Sequence, residues 1–325
     1  MKLSIVLPVH DEAPVIPELV RRLTKVLEEL EGEWEAVFVD DGSRDSSWDL
    51  LRAAADNDGR IRAIRFSRNF GHQIALSAGL HTATGDAVIT MDSDLQHPPE
   101  LIPSLLARAG EGFDVVYAVR SSADSSTWFK RTSARVFYWL LNRISSLELP
   151  QAGGDFRYMS RRVVEALLAM PERHRFLRGM TRWVGYEQAT IEYHRPPRAG
   201  GKSKYTLRKM LALSWDAVVS FSSLPLRVAS LLGFMFSFFG LLYLAYVVAA
   251  RVFTDNTVAG WTSVVATVLV LGGVQLLCIG IIGQYLGRMY EEMKGRPLFL
   301  VADDTRRLET HEHELSEREE SSPRR

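Results

Sequence analysis

The chain has 325 residues, and its 39 lysine and arginine residues are balanced by 39 aspartate and glutamate residues. Because a neutral chain has no general attraction to a polyanion, we expect no nucleic-acid partner. The only cysteine is Cys278, so the sequence excludes a disulfide within the chain and fits a reducing compartment. The length accommodates either one large domain or a domain with an accessory region.

Residues 1–120 alternate short apolar runs with longer segments of helical periodicity. Strands are predicted at 3–7, 36–39, 61–66, 87–91 and 115–118, and helices at 15–30, 46–55, 73–82 and 100–109. This order is typical of an α/β fold with a doubly wound, mainly parallel sheet. Beyond residue 120 the sequence predicts a helix at 128–145, a turn at 153–157 and a helix at 161–169.

Two stretches near the C-terminus, 228–250 and 264–286, carry no charged residue. Each is as long as the roughly 20 apolar residues that a helix needs to cross a bilayer. Both therefore predict transmembrane helices, with a buried hairpin in a soluble core as the alternative. Basic residues lie mainly outside the pair, which predicts that both chain ends are cytoplasmic.

The predicted organisation has four parts. They are an α/β domain at 1–204, an amphipathic juxtamembrane helix at 205–227, a two-helix transmembrane region at 228–287, and a tail at 288–325. An ordinary surface helix is the alternative for the second part. The charged composition of the tail predicts disorder after about residue 302. We therefore expect a two-span protein of the cell membrane, with the α/β domain and both termini in the cytoplasm.

Polar residues follow four of the predicted strands at the point where each strand ends. They are the segments 8–12, 40–43 and 67–69 and the pair Asp92 and Asp94. Ligands of doubly wound sheets bind beyond the carboxyl ends of the strands, so these segments predict one shared crevice. Two carboxylates one residue apart can bind a hard divalent cation and leave coordination sites for phosphate oxygens. A solvated turn is the alternative for an isolated Asp-x-Asp.

Five segments together resemble a known family. They are IVLPVHDE at 5–12, VDDGS at 39–43, RNFGHQ at 68–73, MDSDLQHPPE at 91–100 and GDFR at 154–157. In this order they resemble the GT-A family 2 glycosyltransferases, specifically the polyprenyl-phosphate glycosyltransferases related to dolichyl-phosphate mannose synthase and the bacterial GtrB-type enzymes. The resemblance covers about residues 1–300. It departs from the family pattern at His10 and Asp11, where the family usually has Tyr-Asn, and at His97.

The resemblance implies a nucleotide-diphosphate sugar as the donor, with uridine favoured, and Mg²⁺ or Mn²⁺ as the cofactor. It implies a metal site at Asp92, Asp94 and Gln96, in which Asp94 and Gln96 are direct ligands and Asp92 faces the ribose and diphosphate. A cation there would stabilise the negative charge that develops on the departing nucleotide diphosphate.

A nucleoside pocket is implied at the ends of the first two strands. Its predicted residues are Pro8, Glu12, Asp40 and Asp41. A tight turn that caps the next helix is the alternative role for Asp41, and one residue can serve both roles.

The implied acceptor is a polyprenyl phosphate, whose negative charge has to approach the donor diphosphate. Cationic side chains suit this task, because arginine can bind phosphate with two hydrogen bonds and lysine acts as a point charge. An exposed, solvated role is the alternative for each candidate. The predicted phosphate-binding residues are Arg120, Lys130, Arg131, Lys202 and Lys204.

The predicted catalytic residues are Asp94, Asp155 and Arg157. Asp155 lies where this fold often carries its general base, but a prenyl phosphate is already a nucleophile, so Asp155 could instead orient the sugar or an arginine. The resemblance implies inversion at the anomeric carbon in a single in-line displacement. Further candidate partners are the lipid bilayer, a second copy of the chain through the transmembrane helices, and a flippase acting on the product.

Two other functions are alternatives to this interpretation. A processive polysaccharide synthase would carry a Gln-x-x-Arg-Trp motif, whereas Arg182 and Trp183 here follow Gly179-Met180-Thr181. Two predicted spans are also too few for an intramolecular pore. A catalytically inactive membrane adaptor should have lost its metal ligands, yet Asp92, Asp94 and Gln96 are all present.

Overall fold

The computed structural model describes residues 1–120, 153–193, 224–253 and 261–306. Within these ranges the chain forms two compact units. The first unit holds 1–120, 153–193 and 296–306, and the second holds 224–253 and 261–295.

The first unit is built on an eight-stranded sheet in the order β7-β5-β6-β4-β1-β2-β3-β8. The strands are β1 (Lys2–Val9), β2 (Glu33–Asp40), β3 (Ile61–Phe66), β4 (Ala87–Thr90), β5 (Val115–Arg120), β6 (Gly153–Ser160), β7 (Gln188–Tyr193) and β8 (Val301–Asp304). The core strands β4, β1, β2 and β3 are parallel, whereas β6 and β8 run antiparallel to their neighbours. The predicted α/β fold with a mainly parallel sheet is therefore confirmed for this core.

Helices cover both faces of the sheet. In the first unit they are α1 (Ile16–Glu28), α2 (Ser47–Asn57), α3 (His72–Thr82), α4 (Ile102–Ala109), α5 (Arg161–Ala169) and α6 (Leu177–Trp183). Because successive strand residues point to opposite faces, Ile5 and Leu7 of β1 join one apolar cluster and Val6 joins the other. Gly79 lets α3 pack closely on β1, since a Cβ at this position would lie 2.2 Å from Val6 Cγ1.

Two strands correct the sequence analysis. The predicted turn at 153–157 is the first half of β6, whose backbone pairs with both β4 and β5. The predicted tail does not begin at residue 288. The second long helix continues to Met293, and β8 then pairs with β3. Residues 301–304, expected near the start of the disordered segment, are thus part of the sheet.

The second unit consists of two long helices, α7 (Leu224–Phe253) and α8 (Trp261–Met293), which pack on each other. In α8, Val270–Met293 is long and apolar enough to cross a membrane, while Val228–Tyr243 in α7 is a shorter apolar segment. By length and composition the described residues thus contain one candidate span instead of the two predicted. The predicted helix at 128–145 and residues 205–223 of the juxtamembrane helix lie outside the described residues.

Candidate active site

Asp155 is the centre of a hydrogen-bond network at the crevice end of the sheet. It lies on β6 and is buried. Arg178 of α6 donates to both carboxylate oxygens, with Nε 3.1 Å from Oδ1 and Nη2 2.9 Å from Oδ2. Arg157 Nη2 lies 2.9 Å from Oδ1, and the Nε2 atoms of His72 and Gln73 lie 3.3 and 3.5 Å from Oδ2. Asp155 therefore joins β6 to α6 and to the start of α3.

The charges around Asp155 favour its ionised form. Burial by itself would raise the pKa of the carboxyl group, but the hydrogen bond from His72 and the positive charges of Arg178 and Arg157 hold it well below its usual range. A carboxylate with so low a pKa is a weak proton acceptor. This arrangement fits the alternative in which Asp155 orients an arginine better than the one in which it acts as a general base.

Arg157 is completely buried, which is unusual for a guanidinium group. Besides Asp155, its Nη1 donates to Thr181 Oγ1 at 2.9 Å and to the carbonyl oxygen of Leu177 at 3.3 Å. Both of these partners lie on α6. The Arg157 side chain therefore fixes α6 against β6 and so determines where Arg178 is presented.

His72 and Asp92 stand on the other side of Asp155. His72 begins α3, and its Nε2 lies 3.4 Å from Asp92 Oδ1 and 3.3 Å from Asp155 Oδ2. Burial lowers the pKa of His72, but the Asp155 hydrogen bond and the two carboxylate charges outweigh it and raise the pKa. Ligand atoms of His72, Asp92 and Asp155 lie within 4.8 Å of one another, close enough to share a cation.

The residues after β4 fit a divalent metal better than Asp155 does. Asp92 Oδ1 is a buried carboxylate oxygen that accepts no hydrogen bond from the described residues, so its lone pairs are available to a cation, and the Gln96 side chain, whose amide oxygen could be a second ligand, is buried in the same loop. Between them, Asp94 Oδ1 accepts the Gln96 backbone N–H at 3.1 Å, and Leu95 adopts a strained φ of 59° that turns this loop sharply. Asp155, in contrast, already faces two arginines, which would repel a cation. The predicted set of Asp92, Asp94 and Gln96 is therefore the better match, with His72 as an additional candidate ligand.

The loop that carries Asp92, Asp94 and Gln96 is called the metal loop below. His97 contacts it from the protein interior. Its Nδ1 accepts the Asp92 backbone N–H at 2.9 Å, so Asp92 is held in place by the residue at which the sequence departs from the family pattern. The His97 ring stacks on Phe156, with centroids 5.1 Å apart. Because His97 is buried, it positions the metal loop from within the fold.

Asp41 connects two of the strand ends. Its carboxylate accepts the backbone N–H groups of Phe70 at 2.6 Å and Gly71 at 2.9 Å, immediately before α3. The hydrogen bonds satisfy amides at the helix start, and the negative charge suits the helix dipole. Burial raises the pKa of Asp41, and these backbone bonds oppose that effect. The alternative role for Asp41 was a turn that caps the next helix, α2, whereas the structure has Asp41 binding amides before α3, where it helps to place His72 beside Asp92.

A cleft of about 550 Å³ opens at the ends of β1, β2 and β3. Its lining residues are His10, Asp11, Gly42, Ser43, Arg44, Arg65, Phe66, Ser67, Arg68, Asn69, Ala302 and Asp303.

Asp40 is fully buried beside this cleft, with its Oδ2 3.6 Å from Nε of the lining residue Arg65. Pro8 is buried within β1, paired with Val39 of β2. The Glu12 backbone N–H donates to Ser47 Oγ at 3.0 Å, at the start of α2.

The predicted acceptor-binding residues are mostly beyond the described ranges. Lys130, Arg131, Lys202 and Lys204 lie outside them, and of Arg120 only the backbone, at the end of β5, is described. The structure does reveal a cation that the sequence analysis missed, because Arg178 is 38% exposed at the crevice. His72 and Gln73 were missed as well, although both belong to the RNFGHQ segment. That segment is the signal that could have identified them, since it follows a strand end.

Comparison with known proteins shows the family of this chain. The family model described as "Glycosyl transferase family 2" matches residues 4–168, and one described as "GtrB C-terminal hairpin" matches residues 224–289. The uncharacterized glycosyltransferase YkcC of Bacillus subtilis (strain 168) is 44% identical over 92% of this chain and 92% of its own length. A bactoprenol glucosyl transferase of Shigella phage SfX is 40% identical over 93% of this chain and 99% of its own. The chain therefore belongs to glycosyl transferase family 2 and carries the C-terminal hairpin of the GtrB type.

Proposed function

We propose that this chain transfers one sugar from a nucleotide-diphosphate sugar, with a UDP-sugar favoured, to a polyprenyl phosphate at the cytoplasmic face of the membrane. The observation that carries the proposal is the network around Asp155. Within it, Asp92 offers a carboxylate for a metal ion, and Arg178 offers a guanidinium group at the same crevice. A site with both features can hold a metal-bound diphosphate and a second phosphate side by side.

The second unit supports a membrane-borne acceptor. Large apolar side chains on α7 and α8 are widely exposed, among them Phe234 at 69% and Leu276 at 72%. Apolar surface of this extent is stable in lipid and unstable in water. The relative from Shigella phage SfX is named for a bactoprenol acceptor, which points to the same class of lipid. Two spans and cytoplasmic ends remain part of this proposal.

The proposed reaction is a single displacement. A phosphate oxygen of the acceptor forms a bond to the anomeric carbon while the bond from that carbon to the nucleotide diphosphate breaks, and the electron pair leaves with the diphosphate. When bound, Mg²⁺ or Mn²⁺ would neutralise charge on this leaving group. Arg178 supplies positive charge for phosphate oxygens, and Asp155 with Arg157 holds Arg178 in place. The acceptor needs no general base, because its phosphate is ionised near neutral pH.

A donor screen tests this function. Purified full-length protein would be incubated with polyprenyl phosphate, Mg²⁺ or Mn²⁺ and a panel of UDP- and GDP-sugars, and lipid products would be identified by mass spectrometry. We expect a lipid phosphate that carries one sugar. Asp94→Asn protein, purified from the membrane in the same way, should give none. A product with many sugars would instead support a processive synthase, and nucleotide binding without any transfer would support an adaptor.

A further inference from the structure

The strand β8 follows the apolar hairpin in sequence, yet it lies at the edge of the sheet in the first unit. It pairs antiparallel with β3, so that Arg65 faces Asp303 and Ile64 faces Asp304. Arg62 binds Asp304 through two hydrogen bonds, of 3.0 Å from Nε and 2.6 Å from Nη2. A two-bond pair of this kind holds both position and orientation.

Residues on both sides of β8 strengthen this attachment. Thr305 Oγ1 accepts the Ala63 backbone N–H at 3.1 Å, the Ser67 N–H donates to the Leu300 carbonyl at 3.0 Å, and the Phe299 ring stacks on Phe66 with centroids 5.1 Å apart. The segment therefore has polar and apolar contacts along its whole length. These contacts attach β8 to the sheet of the first unit.

The pairing of β3 with β8 is irregular at the position nearest the cleft. The register shifts between Arg65 and Phe66, which face Asp303 and Val301 respectively. Such irregularities bend a strand and redirect its side chains, and they are common beside active sites. Here Ala302 and Asp303 become part of the wall of the strand-end cleft.

Arg65 is held between two carboxylates from different strands. Its Nε lies 3.6 Å from Oδ2 of the buried Asp40, and its Nη1 lies 4.0 Å from Oδ2 of Asp303, whose side chain is 42% exposed. Asp40 attracts the guanidinium group towards the interior, and Asp303 attracts it towards the cleft. The balance of the two attractions determines where the Arg65 donors are presented.

We propose that Asp303 is a positioning residue for donor recognition, which holds Arg65 at the cleft wall so that the Arg65 guanidinium group binds the nucleotide. The inference rests on the proposed function, because it takes a nucleoside diphosphate as the occupant of the cleft. It extends that function by making the strand beyond the apolar hairpin a contributor to nucleotide affinity. The sequence did not indicate this role for Asp303, because the residue lies in the charged C-terminal segment.

Nucleotide binding measured by calorimetry tests this role without requiring turnover. UDP would be titrated into the full-length wild type and into the Asp303→Asn, Arg65→Met and doubly substituted proteins. Since a partly exposed ion pair contributes up to about 1 kcal/mol, we expect roughly three- to fivefold weaker binding for Asp303→Asn. If Asp303 acts through Arg65, then adding Asp303→Asn to the Arg65→Met protein should weaken binding no further. Asp303→Glu should restore most of the affinity.

Two control variants separate positioning from charge and from folding. Glu33→Gln removes the same charge at the exposed amino end of β2, and it should bind UDP like the wild type. Asp304→Asn breaks the strand anchor and should lower the melting temperature, whereas Asp303→Asn should not. Wild-type affinity for UDP in Asp303→Asn, or additive losses of affinity in the double variant, would overturn this inference and leave the proposed function standing. If the wild type binds no nucleoside diphosphate at all, the inference fails together with the proposed function.

Discussion

Arg178 binds Asp155 through two parallel hydrogen bonds, although the residues are 23 positions apart on α6 and β6. Arg157 adds a third cationic hydrogen bond to the same carboxylate. Both oxygens of Asp155 thus interact with positive groups, so a proton would have to displace them. Asp155 therefore holds the two arginines of a cationic site in place. Four predictions concern this site, the metal loop and the stability of the sheet.

The first prediction concerns Asp155→Asn. The substitution leaves Arg157 buried without its counter-charge, so we expect the free energy of unfolding to fall by about 3–5 kcal/mol and transfer to be severely impaired. The pKa of Asp155 lies well below the working range, so the substitution removes no titrating group there, but any pH dependence that follows His72 should move to lower pH because Asp155 raises the His72 pKa. Thermal unfolding and the rate measured from about pH 5 to 8 test both points. An acid limb that is present in the wild type and in His72→Gln protein, and that vanishes in Asp155→Asn protein, would instead identify Asp155 as a base.

The second prediction concerns the geometry of Arg178. Arg178→Lys keeps the charge but loses the fork that binds both oxygens of Asp155, so we expect kcat/KM to fall by roughly 10- to 100-fold with little change in stability. Arg182→Lys is the matched control on the same helix, where Arg182 binds Gln188 Oε1 at 3.2 Å. Steady-state kinetics with saturating acceptor compares the two. Equal losses in both variants would show that α6 needs arginine for structure alone.

The third prediction concerns the metal loop. Asp94→Asn removes a charged oxygen ligand, and we expect Mn²⁺ to bind at least about tenfold more weakly and sugar transfer to be lost. Electron paramagnetic resonance of Mn²⁺ in the presence of UDP measures the binding directly. Asp56→Asn, on the exposed face of α2, removes a carboxylate away from the metal loop and should behave like the wild type. Wild-type Mn²⁺ affinity in Asp94→Asn would refute the ligand assignment.

The fourth prediction concerns acid stability and Glu35, a buried residue of β2. Burial raises its pKa, but hydrogen bonds from the Thr84 backbone N–H, the Ser4 hydroxyl and Lys2 outweigh this and lower the pKa to about 2. Since the folded pKa is below the ordinary value of 4.5, the stabilisation of about 3 kcal/mol is complete above pH 4.5 and disappears as the pH falls towards 2.

Glu35→Gln should therefore melt at a lower temperature than the wild type at pH 7. The difference should shrink steadily below about pH 4.5, because the wild type then loses the same interaction. Melting temperatures of both proteins across this range provide the test. A difference that stays constant with pH would mean that the loss comes from packing and not from the charge of Glu35.

Much of the sheet was predictable, because its core strands are continuous apolar runs. The strands that were not predicted are β6, β7 and β8, and β6 and β8 share a cause. β6 begins with Gly153 and Gly154, which locally favour a turn, yet its pairing with two strands overrides that preference. β8 has two aspartates in four residues and low strand propensity, and only the edge of β3 makes it a strand. The local sequence could not reveal either partner.

By itself the sequence determined the order of the strands and helices up to residue 120, the apolar hairpin and the strand ends at which polar residues gather, because these follow from residue spacing along the chain. Only the tertiary structure decided which of those residues meet. Arg178, Asp155 and His72 are far apart in sequence, and Asp303 reaches Arg65 from beyond the hairpin. Hydrogen bonds and ion pairs depend on distances of a few ångströms between atoms, and the packing of elements sets those distances.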